Sequence, residues 1–387
     1  MVRLTGPRVL TVLLVLALGG YTFVLAPRLF AAQQPALPGP VAADEPSASP
    51  GATVTAPPLF PPEDQAFIGV TTKEGTYDFA PVDRFGKAIR HRPSVMLFNH
   101  GWAVNETFDR AEFDAVARRG MLPMLSWEPW NYKDDRKNAD GTHASQPRYQ
   151  LNTIYGGEHD DYIRAYATGI RRLNYQVAIR FAHEMNGFWY PWGADVNGNV
   201  AGDYVKAWRH VRQVFTEAGA TNVIWVWSPN VLFGDKQLKP FYPGDEWVDW
   251  IGLSGYYGTE GTENYRSPRT VFGRSITHLR TFTAKPLVIT ETAATDNAGL
   301  KARWVREFFG YLEDNPDIIG FIWYESVKEW DWRIATAPAA SAAFATEADD
   351  KRYDVRWTTN VVPRVTAEVP PRPTGSPAEP TGTARPR

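Results

Sequence analysis

Residues 176–186 read QVAIRFAHEMN. Val177, Ala178, Ile179, Phe181 and Ala182 form an almost unbroken apolar run, which closes on His183, Glu184 and Asn186. An apolar run without alternation is the pattern of a parallel strand buried on both faces. Seven other stretches repeat the design: FIGVTT (67–72), SVMLFNHGW (94–102), MLPMLSWEP (121–129), VIWVWSPN (223–230), DWIGLSGYY (249–257), PLVITETA (286–293) and IGFIWYES (319–326). Each is mostly apolar and ends in a polar or aromatic cluster.

Amphipathic stretches separate these runs. In DYVKAWRHVRQVFTEAG (203–219), Val205, Trp208, Val211 and Phe215 share a helical stripe, with Asp203 placed to cap the start and Gly219 to end it. DDYIRAYATGIRRL (160–173) and LKARWVREFFGYLED (300–314) behave alike, whereas 231–248 shows no helical period. Eight strands spread over 67–326 predict an α/β fold, a (β/α)8 barrel of about 250 residues. The alternative, a doubly wound open sheet, calls for a glycine-rich phosphate turn after an early strand, and FIGVTTKEG contains no G-x-G-x-x-G.

The chain has 387 residues, of which 43% are apolar, enough for one large core. Its net charge of −2, without a basic block, gives no electrostatic footprint for nucleic acid. The absence of cysteine excludes disulfides, thiolate metal ligands and cysteine nucleophiles. At the N-terminus, VLTVLLVLALGGYTFVLA (9–26) follows a positively charged start. It is long for the apolar core of a signal peptide and just long enough to span a bilayer. Residues 1–32 are read as a membrane anchor, or as a signal peptide cleaved after LFAA. Either places the remainder outside the cytoplasm, at the cell surface or secreted. Residues 33–63 are a Pro/Ala-rich linker and 361–387 a disordered Pro-rich tail, which leaves 64–360 as the folded domain.

In such a barrel the site forms at the C-terminal ends of the strands. Those ends carry Asn99, His100 and Trp102; Trp127 and Glu128; His183, Glu184 and Asn186; Trp227 and Asn230; Tyr256 and Tyr257; Glu291; and Trp323, Tyr324 and Glu325. Carboxylates, amides, imidazoles and flat rings together compose a sugar cleft. Glu184 closes the fourth run and Glu291 the seventh, so a closed barrel can aim both across one cleft. Two carboxyls flanking a glycosidic bond are the minimal machinery for its hydrolysis. The plainer reading makes either glutamate the partner of a cation such as Arg180. A zinc protease would need a second histidine four residues after His183, where Gly187 stands.

RFAHEMNGFWYPWG (180–193), WIGLSGYYG, LVITETAA and FIWYESVKEWDWRI, in this order, resemble glycoside hydrolase family 26, whose members include β-mannanases and mixed-linkage β-glucanases. The resemblance spans about 67–334. It implies a retaining endo-acting barrel enzyme without metal or cofactor, with Glu184 as acid/base and Glu291 as nucleophile. It further implies that His183 contacts substrate or orients a carboxylate, that Tyr256 bonds the nucleophile, and that Trp323 underlies the sugar at the cleavage point. Trp189, Trp192, Trp127 and Trp102 are expected subsite rings, and His100 and Asn186 are expected substrate contacts. Tyr324 stands where some mannanases of the family carry arginine, and FWYPWG is nearer the glucanase form. The expected partner is a polysaccharide and the expected state a monomer. The rival functions are a non-catalytic glycan-binding surface protein and a transglycosylase acting on the cell's own polysaccharide.

Overall fold

The computed structural model describes residues 56–134, 136, 138, 145–234, 237–258 and 264–367. The expected leader, most of the linker and the tail beyond 367 lie outside the described residues. Among those described, no helix is long and apolar enough to cross a membrane.

All eight apolar runs form strands. After a short β1 (Leu59–Phe60) come β2 (Phe67–Thr71), β3 (Val95–Gly101), β4 (Leu122–Glu128) and β5 (Val177–Phe181). Then follow β6 (Val223–Trp227), β7 (Trp250–Ser254), β8 (Leu287–Thr292), β9 (Ile318–Tyr324) and a short β10 (Val362–Pro363). Strands β2 to β9 close into a barrel in sequence order, every neighbour parallel, and β2 meets β9 from Phe67↔Gly320 to Thr71↔Tyr324. This is the (β/α)8 architecture.

The outer layer contains α1 (Ala80–Ala88), α2 (Arg110–Arg118), α3 (Leu151–Tyr155) and α4 (Asp160–Arg171). It continues with α5 (Asp203–Glu217), α6 (Pro268–Leu279), α7 (Lys301–Glu313) and α8 (Pro338–Glu347). The described part of the β6–β7 connection has only two short 3-10 turns, at Lys239–Phe241 and Asp245–Trp247, in keeping with its lack of helical period. Helix α5 buries Tyr204, Ala207, Trp208, Val211 and Phe215 on one face. Each large side chain so buried contributes roughly 1.5–3 kcal/mol. Gly219, at φ 73°, ends the helix as expected. Asp203 differs from expectation. It is the first helical residue, and its carboxylate accepts from the Val200 N–H (3.0 Å) and the Tyr155 hydroxyl (2.9 Å), so it ties the preceding loop.

The folded unit also reaches further than the linker and tail assignments allow. β1 pairs in parallel with β10, Phe60 is fully buried, and its ring stacks on Phe67 at 5.7 Å. The Trp250 indole donates to the Arg364 carbonyl at 2.7 Å. Two-residue strands set among prolines look like spacer because they are too short to carry any period.

Candidate active site

Alternation along a strand sends neighbouring side chains to opposite faces. On β4 it points Ser126 and Glu128 into the barrel and Trp127 out toward the helices. On β5 it points Arg180 inward, level with Ser126 in the register. The guanidinium has no solvent exposure. It donates to Ser228 Oγ (2.9 Å), Ser126 Oγ (3.0 Å), Ser254 Oγ (2.6 Å) and Glu291 Oε1 (2.5 Å). Ser228 in turn shares a 2.7 Å hydrogen bond with Thr290. A buried cation is tolerable only when its donors are met and its charge is balanced, and three hydroxyls and a carboxylate do both here.

Glu291 reaches this cradle through an irregularity. The pairing of β8 with β9 shifts register between Ile289 and Thr292. Such a shift re-aims a side chain, so Thr290 and Glu291, adjacent in sequence, both bond to groups of the barrel interior. The other carboxylate oxygen of Glu291 accepts from the Tyr256 hydroxyl. That phenol is held well above its usual pKa, first by burial and next by the Glu291 charge, so it stays a donor.

Glu184 is placed by the abrupt end of β5. Ala182 and Glu184 both take positive φ, 43° and 55°, and the Glu184 N–H donates to the Ser228 carbonyl at 2.7 Å. Left-handed backbone at a residue with a Cβ is costly and tends to collect at functional sites. The Glu184 Oε2 accepts from the Trp189 indole at 2.7 Å, and Oε1 lies 4.0 Å from the second guanidinium nitrogen of Arg180. Burial raises the pKa of Glu184, and the nearby Glu291 charge raises it further, against the opposing pull of Arg180. The two glutamates thus flank one guanidinium in different states. One is ion-paired and accepts a hydrogen bond from the phenol; the other is biased toward its acid form.

Above them opens a cavity of about 990 Å³. His183, Glu184, Trp189, Tyr256 and Glu291 line it, as does His100. His183 is buried, with Nε2 3.2 Å from the Tyr190 hydroxyl, and burial followed by the Arg180 charge lowers its pKa well below the usual value. It is therefore a neutral imidazole. His100 is clamped between Glu112 (2.7 Å) and the Tyr166 hydroxyl (3.3 Å), so its ring nitrogens are already engaged.

Five expected contacts lie elsewhere. Trp127 is fully buried against Tyr162, Tyr166 and Phe215 of the helix layer. Trp102 packs on Trp127 at 4.9 Å. Trp323 faces Trp304 and Phe344, because inward alternation on β9 falls on Tyr324 instead. Trp192 is fully buried under Tyr190, stacked at 4.4 Å, and its indole donates to the His183 carbonyl at 2.6 Å. Asn186 is a loop staple: its side chain donates to the Asn230 carbonyl and accepts from the Asn230 N–H, each at 2.9 Å. None of the five lines the cavity. The rings that do include Trp130, Tyr190, Phe233, Tyr324 and Trp332, with Trp332 stacked on Tyr256 at 4.8 Å. Of these, sequence reasoning noted Tyr324 alone at its strand end, and it passed over Arg180 as the site's organiser. Its one signal was a charge inside an otherwise apolar strand run. Glu325, a strand-end carboxyl, instead accepts the Ile334 and Ala335 N–H groups at 2.7 and 3.0 Å and fixes the loop that carries Trp332.

Residues 141–294, a span that includes both glutamates, match the family model described as glycosyl hydrolase family 26. Endoglucanase H of Acetivibrio thermocellus is 34% identical over 253 residues, 63% of this chain and 26% of that protein. A mannan endo-1,4-β-mannosidase of Bacillus subtilis (strain 168) is 30% identical over 203 residues, 47% of this chain and 55% of that protein. The chain thus spans about a quarter to just over half of the length of these curated relatives. The solved structure of a GH26 β-mannanase from Bacteroides ovatus superposes with a TM-score of 0.53 at 17% identity, over 76% of this chain and 90% of that one. At that identity the likeness is one of fold.

Proposed function

The chain carries a glycosyl hydrolase family 26 domain, and from that premise we propose that it is a retaining endo-β-glycanase acting on an extracellular polysaccharide. The observation that carries this reading is the pairing of Glu184 and Glu291 about Arg180 at the floor of an open cavity. Glu184, biased toward its protonated form, donates to the leaving glycosidic oxygen. Glu291 attacks the anomeric carbon and forms a glycosyl-enzyme. Water then cleaves that bond, with Glu184 as its base. The Tyr256 phenol steadies the attacking carboxylate, and its fixed dipole does not reorganise during reaction. Both carboxyls face one guanidinium, as a pair flanking one bond should, and the family resemblance implies the retaining course.

Among substrates we favour a β-1,4-linked glucan of the mixed-linkage type. Tyr324 lines the cavity where some mannanases of the family have arginine, and the longer of the two sequence alignments above is to an endoglucanase. The apolar leader would place the enzyme at the cell surface.

The test is reducing-end release from mixed-linkage β-glucan, β-mannan, glucomannan and β-1,3-xylan, with Glu184→Ala and Glu291→Ala alongside. The reading expects cleavage of one polymer and a loss of about 10²–10⁴-fold or more in each variant. A folded wild type that binds a polymer but cuts none would favour a glycan-binding protein.

A further inference from the structure

A third carboxyl belongs to the cavity and has no part in the displacement. Glu128 ends β4, is 4% exposed and lines the same cavity. Its Oε2 accepts from the Trp130 indole at 2.8 Å. Among the described residues, Oε1 has no hydrogen-bond partner. That oxygen sits at the wall of a cleft rather than sealed in the core, and it keeps enough exposure to meet a ligand. The groups facing it are Arg180, Glu184 and Tyr190 from the β5 side, Glu291 from β8, Tyr324 from β9 and Tyr132 on its own loop. Arg180 is the one cation among them, and it is already bonded to Glu291.

We propose that Glu128 binds substrate directly, its Oε1 hydrogen-bonding a hydroxyl of the sugar seated beside Trp130. The inference rests on the glycanase reading above. Ionised Glu128 would be a second negative charge, beside Glu291, near one already neutralised guanidinium, with its own side chain only 4% exposed. Burial therefore pushes its pKa up to about 8, so at neutral pH the group is an acid. With Oε2 engaged by the indole, the acid proton on Oε1 points the donor at the ligand. A sugar hydroxyl oxygen can accept that hydrogen bond while its own O–H points to another partner. Trp130, held edge-on to Tyr190 at 5.4 Å, is fixed by the same carboxyl. One residue thus orders a ring and supplies a polar contact next to it.

The test uses the full chain and whichever polymer the wild type cuts, with KM and kcat followed from pH 5.5 to 9. Glu128→Gln keeps a donor and an acceptor in the same volume but cannot ionise. Glu128→Leu removes both. The expected result is a wild-type KM that rises as pH passes about 8, a Gln variant whose KM stays level, and a Leu variant whose KM is up roughly three- to tenfold at pH 6, the scale of one lost hydrogen bond. The alkaline loss of kcat through Glu184 would persist in all three. A Gln variant with the wild-type rise in KM would overturn the proposal and reduce Glu128 to a support for Trp130. Should the Leu variant fail to fold, the Gln profile alone decides. A wild type that cuts no polymer would sink the glycanase reading and this one with it, whereas cleavage with an unchanged Gln profile sinks this one alone.

Discussion

A guanidinium without solvent contact sits between two carboxyls, and that placement makes Arg180 the residue whose loss should be felt most widely. In Arg180→Met, the largely enclosed Glu291 loses its counter-ion and three serine hydroxyls lose their donor. Breaking a buried pair from one side costs about 3–5 kcal/mol, so urea unfolding should show a drop of that size together with loss of activity. A variant of wild-type stability would show that the cradle is dispensable. Tyr256→Phe removes one hydrogen bond to a charged acceptor, worth about 1.5–3 kcal/mol. If the bond tightens in the transition state, kcat should fall roughly tenfold or more with little change in KM; an unchanged kcat would remove Tyr256 from the mechanism. Glu184 must be protonated to act first, and its pKa is raised by burial and by the Glu291 charge. Activity should therefore persist above the ordinary carboxylate range and fall as pH rises through the raised value.

The elements show where sequence reasoning succeeds. All eight strands were legible because a strand buried on both faces must be apolar throughout, and that leaves a mark no helix period imitates at such length. Glu184 and Glu291 were legible as the polar ends of two such strands. Trp189 was placed in the cavity correctly, but Trp127 and Trp323 were misplaced because an apolar run conceals the phase of its alternation. Phase is fixed by which residue can point into a polar barrel centre, and Ser126, Arg180 and Ser228 set it, so Trp127 and Trp323 fall on the outer face. The register shift in β8 that brings Glu291 inward leaves no trace in composition. The long connection after β5 is also illegible, since its order comes from side-chain staples. Asn199 is one: its side chain donates to the Pro191 and Gly193 carbonyls at 2.7 and 3.1 Å and accepts from Leu151 N–H at 2.9 Å. Asn199→Ala should cost about 1–3 kcal/mol and speed amide hydrogen exchange across 186–199, lowering kcat through a looser Trp189. Unaltered exchange in that segment would contradict the stapling role.

For the molecule as a whole, the boundaries and the buried carboxyls give measurable consequences. A chain of residues 64–360 lacks Phe60 and β10, while one of residues 56–367 retains both. The shorter chain should be less stable by about 3–5 kcal/mol, the scale of deleting a buried phenylalanine; equal stability would restore the narrower boundary. Stability should also depend on pH in a definite sense. Glu128 and Glu325 are raised to about 8 and about 7, chiefly by burial, so the folded state keeps protons that the unfolded state has released. Where the folded state binds more protons, stability falls as pH rises. Below about 6.5 the buried neutral His183 works in the opposite sense, since unfolding lets it charge. The clear window is therefore between about 6.5 and 8, where the unfolding midpoint should decline and Glu128→Gln should flatten the decline. A wild-type midpoint that is level or rising over this window would contradict the burial of these acids. The most direct measurement of the central claim, that Glu184 and Glu291 cut a glycosidic bond as acid and nucleophile, is proton NMR of the anomer first released from a mixed-linkage β-glucan. The expected signal is the β-anomer appearing before mutarotation, and absent with Glu291→Ala. Initial release of the α-anomer, or an undiminished signal from that variant, would contradict it.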